Sequence, residues 1–382
     1  MLLPRRDDTQ ALAWLTLLRA PGLGAARIRT LIESAGDAES ALALSDSAWT
    51  RLGAPASALA WRRAPDRERL ARDREWLAAP GHHLIGCDSA DFPALLARSP
   101  QPPAALFVAG DPDLLWHAQI AVVGSRNPSA GGVDNARDFA RTLARSGLAI
   151  TSGLAEGIDA AAHRAALDAG AVTIAVVGTG PDLVYPAKHR DLAAQIEARG
   201  AIVSEFPPGT DARRDHFPRR NRVIAGLSLG TLVVEAALQS GALITARLAA
   251  EAGREVFALP GSIHNPLAKG CHRLIRDGAA LVENTQEIIE ALASQAAQLA
   301  TILRARLALP STAGTPTVPA LGPDPDPDYQ RLWLALDHDP TALDVLATRS
   351  GLTIEALSSM LLLMELEGRV SAAHGRYAKR NT

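Results

Sequence analysis

The stretch FPRRNRVIAGLSLGTLVVEAALQSGALITA, Phe217 to Ala246, decides how the chain is read. It opens on a basic knot, with Arg219, Arg220 and Arg222 around Asn221. The apolar run Leu229 to Val234 reads as a buried strand that stops at Glu235. Ser240-Gly241 then breaks the chain and starts a helix. A basic turn, a buried strand and a glycine at a helix start make a surface that can grip an anion, and phosphate is the obvious candidate.

Outward from this stretch the same pattern repeats. Short apolar runs recur at Ile120–Val123, Leu148–Ile150, Val172–Val177, Ala201–Val203, Val256–Leu259 and Ala280–Val282. Helical patterns fill most gaps: Val133–Arg145, Ile158–Ala169, Leu192–Arg199, Ala242–Ala252 and Leu267–Arg276. Alternating strands and helices with continuously apolar strands imply an α/β core, a parallel sheet covered on both faces. Ligands of such sheets bind beyond the C-terminal strand ends. Those ends carry Gly124-Ser125-Arg126, Gly153-Leu154-Ala155, Tyr185 with Lys188, Phe206 and the basic knot. Arg126, Lys188 and Arg222 supply charge. Helix N-termini expected at Ala155 and at Ser240-Gly241 supply N–H donors. Several loops converge on one edge, so the site should hold more than one phosphate.

Composition narrows the ligand. Formal charge is 39 − 41 = −2, so nucleic acid would have to be held by a local patch. The 47 % hydrophobic fraction fills a sizeable core, and 382 residues suggest two or three domains. Two distant cysteines, Cys87 and Cys271, suggest neither a disulfide framework nor a metal cluster. His82-His83 on a strand would point to opposite faces, so a surface pair is the better reading than a metal site. The charged start MLLPRRDDTQ and the lack of about 18 consecutive apolar residues point to a cytoplasmic protein without a membrane span. Gly178-Thr179-Gly180 lacks the third glycine of a dinucleotide loop, and no Gly-Lys pair exists for a P-loop. No cofactor is expected. Asp159 and His163, four apart, could form an acid/base pair, but ordering a helix start is the favoured role.

Seven ordered segments carry a resemblance: Gly124-Ser125-Arg126, SGLAEGIDAAAH (152–163), VYPAKHRDLA (184–193), SEFPPG (204–209), FPRRNRVIAGLS (217–228), EAALQSGALITA (235–246) and REVFALPGSIHNPLAKGCHRLIRDGA (254–279). Residues 120–283 resemble the DNA-processing protein A family, DprA or Smf. That resemblance implies an extended Rossmann-like core that binds single-stranded DNA, forms a homodimer and helps load the RecA recombinase in natural transformation, without a catalytic step. It makes Arg126 the first choice for a DNA contact. On the residues themselves, a basic groove with stacking rings suits single strands. Tyr185 and Phe206 are the stacking candidates, whereas Phe217 is assigned to core packing. The phosphate set is Gly124, Ser125, Arg126, Gly153, Leu154, Ala155, Lys188, Arg219, Arg220, Asn221, Arg222, Ser240 and Gly241. A second class stays open. GLSLGTLVVE, residues 226–235, resembles the glycine-rich signature of lysine-decarboxylase-like hydrolases of nucleoside monophosphates, with Glu235 as a carboxylate in the pocket.

The flanks read separately. Residues 1–75 suggest a small helical domain with Pro21-Gly22-Leu23-Gly24 as a helix-hairpin-helix-like turn, more suited to protein contact than to DNA. Residues 62–75 read as a solvated helix face. The core is placed at 76–300 and a Pro-rich linker at 301–328. Residues 329–382 resemble a winged helix, with helices at Tyr329–Leu336, Leu343–Arg349 and Thr353–Glu367 and a wing at VSAAHGRYAKR. Acidic residues on the third helix favour protein contact there, while Arg376, Lys379 and Arg380 leave a minor DNA role to the wing.

Overall fold

The computed structural model describes residues 6–308, 327–336, 341–353, 357, 360, 361, 364, 370–373 and 376–379. The chain divides into two units, Met1–Ala308 and Leu309–Thr382. Strands β1 (His82–Gly86), β2 (Ala105–Gly110), β3 (Gln119–Val123), β4 (Ala149–Ser152), β5 (Thr173–Val176), β6 (Ala201–Ser204), β7 (Gly230–Val233), β8 (Glu255–Ala258) and β9 (Ala280–Leu281) build the sheet of the first unit. Their spatial order is β1-β2-β6-β5-β4-β3-β7-β8-β9. Neighbours from β6 to β9 run parallel. The sheet is not parallel throughout: β1 and β2 pair antiparallel, and β2 pairs antiparallel with β6. The stretch between the helical region and the parallel strands thus adds two strands to one sheet edge.

Alternation along each strand loads both faces. In β3, Ala121 and Val123 join one buried cluster with Val223, Ile224 and Leu227. Ile120 and Val122 join the other, with Ala136, Ala140 and Leu143. Successive strand residues point to opposite faces, so one apolar run serves two helix layers. Ile120 and Ile150 are fully buried, and each such side chain contributes about 1.5–3 kcal/mol.

Six helices between Arg6 and Leu77 form the N-terminal region. Ile28, Leu31 and Ile32 are buried in it. The region is continuous with the sheet's core, because Ala104 and Ala105 share its apolar cluster. The face at 62–75 is not wholly solvated. Asp73 is buried and takes two bonds from Arg19, at 2.8 and 2.6 Å, and Arg19 also donates to Pro208 O at 2.6 Å. The histidine pair is likewise not a surface pair. Both rings are half-buried, and His82 stacks on Trp76 at 4.0 Å with its Nδ1 2.7 Å from Trp76 O. A 24-residue helix, Thr285–Ala308, runs through the position expected to begin the linker. No helix among the described residues is long and apolar enough to cross a membrane.

In the second unit, helices Pro327–Ala335 and Leu343–Ser350 stand beside a three-stranded sheet. Val370–Ala373 and Arg376–Lys379 pair antiparallel, as a wing should. Lys379 Nζ lies 5.0 Å from the centroid of the Trp333 ring. The remaining linker, most of the third helix and Arg380 lie outside the described residues.

Candidate nucleic-acid interface

From β3 the chain order proceeds through β4, β5 and β6 on one side, while β7 lies on the other. The loops after β3 and β7 therefore diverge, and a crevice opens at this switch point. A cleft of about 410 Å³ lies there, lined by Gly124, Ser125, Arg126, Phe217, Asn221, Ser240 and Gly241, with Asp159 and Arg220 among its walls.

The Gly124-Ser125-Arg126 turn is pinned from both sides. A Cβ on Gly124 would lie 2.6 Å from Ile158 Cγ1 and 2.9 Å from Glu235 O. Ser125 N donates to Glu235 O at 2.7 Å, and Ser125 O accepts from Ile158 N at 3.1 Å. This fixed turn leaves Arg126 exposed, its guanidinium 5.4 Å from the centroid of the Phe217 ring. Tyr185, half exposed, places its ring 5.7 Å from that of Phe217. Cation, half-buried ring and exposed ring thus form one continuous surface at the mouth of the cleft.

The basic knot is not a turn. Residues His216–Leu227 form a helix, with Pro218 in its first turn, where a missing N–H costs nothing. Steps of 100° per residue send its arginines apart. Arg219 is half exposed and lies 4.9 Å from the centroid of the Phe206 ring. Arg222 turns to Glu205, whose buried carboxylate also takes Arg219 at 3.2 Å, and donates to Gln101 O. Burial pulls the Arg222 pKa down while Glu205 opposes it. Arg222 is therefore a paired structural cation rather than a surface phosphate ligand. Phe206 is buried and stacks on His216 at 4.0 Å, so it offers no face to a base.

Arg220 points inward. Its Nη1 donates to Gly153 O and, at 2.6 Å, to Val176 O. Burial brings its pKa down to about 10, opposed by Asp159, so the side chain stays charged. Asp159 accepts from Gly153 N at 3.1 Å and Ala155 N at 3.3 Å. Burial pushes its carboxyl up, and Arg220 is the largest opposing influence. Gly153 is glycine because a Cβ there would lie 2.0 Å from Arg220 Nη1. Leu154 adopts φ 58°, a costly conformation for a branched side chain, and His189 Nδ1 donates to its carbonyl at 2.9 Å. The helix begins at Ile158 rather than Ala155, and the Ala155 N–H is committed to Asp159. Residues 153–155 are thus an internal brace, not a row of free donors.

On the facing wall, Ser240 caps helix Gly241–Glu251 by accepting from Ala242 N at 3.2 Å. Asn221 Nδ2 donates to Gly241 O at 3.4 Å. Lys188 is exposed and lies 2.9 Å from Glu156.

Two carboxylates with chemical potential are otherwise engaged. Glu235 Oε2 accepts from Ser129 N at 2.9 Å, and Oε1 from Ser129 Oγ at 2.6 Å and Asn265 Nδ2 at 3.3 Å. It clamps the start of helix Ala130–Arg145 and does not line the cleft. Asp159 and His163 bond in different directions. His163 Nδ1 donates to Thr173 Oγ1 at 2.7 Å, while that hydroxyl donates to Ile150 O at 2.7 Å. Burial lowers the His163 pKa to about 3, so the ring is neutral at pH 7. Among the described residues no group of three metal-ligating side chains occurs.

Phe217, which the sequence reading assigns to core packing, is only half-buried and lines the cleft. Its signal was present: an aromatic at a helix start, two residues before an arginine, facing a glycine-rich turn.

Residues 83–293 match the family described as DNA recombination-mediator protein A. The chain belongs to the DNA-processing protein A family. Residues 8–60 match the DprA-like N-terminal HHH domain, and residues 316–376 the DprA winged helix domain. The chain is 44 % identical to Protein Smf of Escherichia coli over 308 residues, 80 % of this chain and 79 % of that protein. It is 46 % identical to the DNA processing protein DprA of Streptococcus pneumoniae over 198 residues, 52 % and 70 % of the two chains. The X-ray structure of DprA from Streptococcus pneumoniae matches with a TM-score of 0.67 at 36 % identity, covering 73 % of this chain and 97 % of that one. DNA processing protein A from Helicobacter pylori, studied for a single-stranded DNA binding mode, matches with a TM-score of 0.50 at 30 % identity, covering 53 % and 94 %. DprA membership and the extended α/β core thus agree with the sequence motifs.

Proposed function

We propose that the chain binds single-stranded DNA across the mouth of the switch-point cleft. The observation that carries this reading is the exposed Arg126–Phe217–Tyr185 surface beside the pinned glycine turn. Arg126 supplies a cation to a phosphate, and the rings supply a stacking face that a paired base inside a duplex cannot reach. Base–aromatic stacking is sequence-tolerant and contributes about 1–3 kcal/mol per base. A net charge of −2 keeps the attraction local to this rim. The relative from Helicobacter pylori supports the same ligand. The bound strand is then handed to the RecA recombinase by a homodimer, without a catalytic step, a role in keeping with the family's description as recombination mediators.

Fluorescence anisotropy of a labelled oligothymidylate and of the matching duplex, at two salt concentrations, tests the first step. Wild type should prefer the single strand. Arg126→Ala should weaken binding and flatten the slope of log K against log salt by about 0.7, one phosphate contact. Equal affinity for duplex, or an unchanged slope in Arg126→Ala, contradicts the assignment.

A further inference from the structure

Lys188, an exposed cation of the proposed phosphate set, is held by a carboxylate. Glu156 Oε1 lies 2.9 Å from Lys188 Nζ, and both side chains are open to solvent, 45 % and 61 % exposed. The bond to Lys188 is the largest influence pulling the Glu156 pKa down, and Arg126 and His189 add weaker attraction. Glu156 therefore feels both Lys188 and Arg126.

The loop that carries Glu156 is tied to the Arg126 turn and to Asp159. The N–H of Ala155 before it is bonded to Asp159. Gly157 after it has φ 78°, and a Cβ there would lie 2.3 Å from Ser125 O and 2.8 Å from the Arg126 carbonyl carbon. Ile158 N donates to Ser125 O. The backbone of Glu156 thus sits on a fixed step against the Arg126 turn, and only its side chain can swing.

We propose that Glu156 is an affinity-limiting residue of the DNA site: its carboxylate occupies the place of a phosphate on Lys188, and an arriving strand must displace it. The inference rests on the single-strand reading above. Lys188 then does not act as a free cation in the unbound protein. Binding exchanges a carboxylate for a phosphate on the same ammonium, which weakens the complex and favours release of the strand. Exposed ion pairs are weak, so the exchange is rapid and its effect moderate.

Full-length wild type, Glu156→Gln, Lys188→Gln and the double variant are compared by anisotropy with a labelled oligothymidylate over a salt series. Glu156→Gln should bind about three- to fivefold tighter at low salt. Its slope of log K against log salt should steepen by up to about 0.7, because in the wild type the carboxylate freed by that phosphate contact takes up a cation again. In the Lys188→Gln background the same substitution should gain much less, since only the weaker influence of Arg126 and His189 is left. Glu156→Ala should reproduce the effect of Glu156→Gln, which separates charge from side-chain shape. Unchanged or weaker binding by Glu156→Gln, or an undiminished gain in Lys188→Gln, overturns the proposal. A wild type that binds and is weakened by Arg126→Ala, yet gains nothing from Glu156→Gln, removes this inference alone. A wild type that ignores the oligonucleotide removes both.

Discussion

Gly153→Ala puts a methyl group where the Arg220 guanidinium already lies. The added carbon would be 2.0 Å from Nη1 and 2.5 Å from Cζ. Arg220 is 4 % exposed and cannot swing into solvent without leaving the core. Its displacement breaks the bonds from Nη1 to Gly153 O and Val176 O. Hydrogen bonds from a charged donor contribute about 1.5–3 kcal/mol each. Asp159 stays beside the guanidinium, so the charge keeps its counter-ion. The expected loss is therefore about 1.5–3 kcal/mol, a sizeable part of a total stability of roughly 5–15 kcal/mol. Urea unfolding followed by tryptophan fluorescence reads this directly, since five of the six tryptophans lie before residue 308. Arg220→Met should be less sensitive to the extra methyl, so the double variant should be more stable than the summed single losses predict. A loss below about 1 kcal/mol for Gly153→Ala, with no coupling to Arg220→Met, would refute the brace.

Other outcomes follow from the same geometry. Tyr185→Ala should weaken oligonucleotide binding by about 1–3 kcal/mol in anisotropy, whereas Phe206→Leu, at a buried ring, should leave it unchanged. Glu235→Gln should lower stability by about 1–3 kcal/mol through its bonds to Ser129, measured by urea unfolding, without changing oligonucleotide affinity. His163 has a folded pKa of about 3 against 6.5 when free, so on acidification the unfolded chain takes up its proton first. The stability it contributes is complete above about pH 6.5 and is lost as pH falls towards 3. Between pH 7 and pH 5, wild type should lose about 2 kcal/mol more than His163→Gln in parallel denaturation curves.

The parallel core was legible because its strands are continuous apolar runs. The run Ala201–Val203 became Ala201–Ser204, and Ile120–Val123 became Gln119–Val123. The antiparallel edge was less visible, since strand His82–Gly86 is short and half polar. The helix at His216 was hidden for a different reason. Its first two turns carry a proline and three arginines, and only Val223, Ile224 and Leu227 later show an apolar side. Without that helix the arginines looked like one cluster. Their separation depends on partners far away in sequence: Gln101 and Glu205 for Arg222, Gly153 and Val176 for Arg220. Arg126 was put first by the family resemblance, and the structure leaves it exposed on a pinned glycine turn. Phe217 was not legible, because a lone aromatic beside apolar sequence reads as core until the Arg126 turn is seen against its face.

Photo-crosslinking with an oligothymidylate that carries halogenated thymine, followed by peptide mass spectrometry, tests the location of the strand most directly. Stacking on the exposed rings predicts adducts at Tyr185 or Phe217, lost when excess unlabelled single strand competes and retained when duplex does. Adducts confined to residues 309–382 or to the N-terminal helices, with none at either ring, would contradict the switch-point cleft as the DNA site.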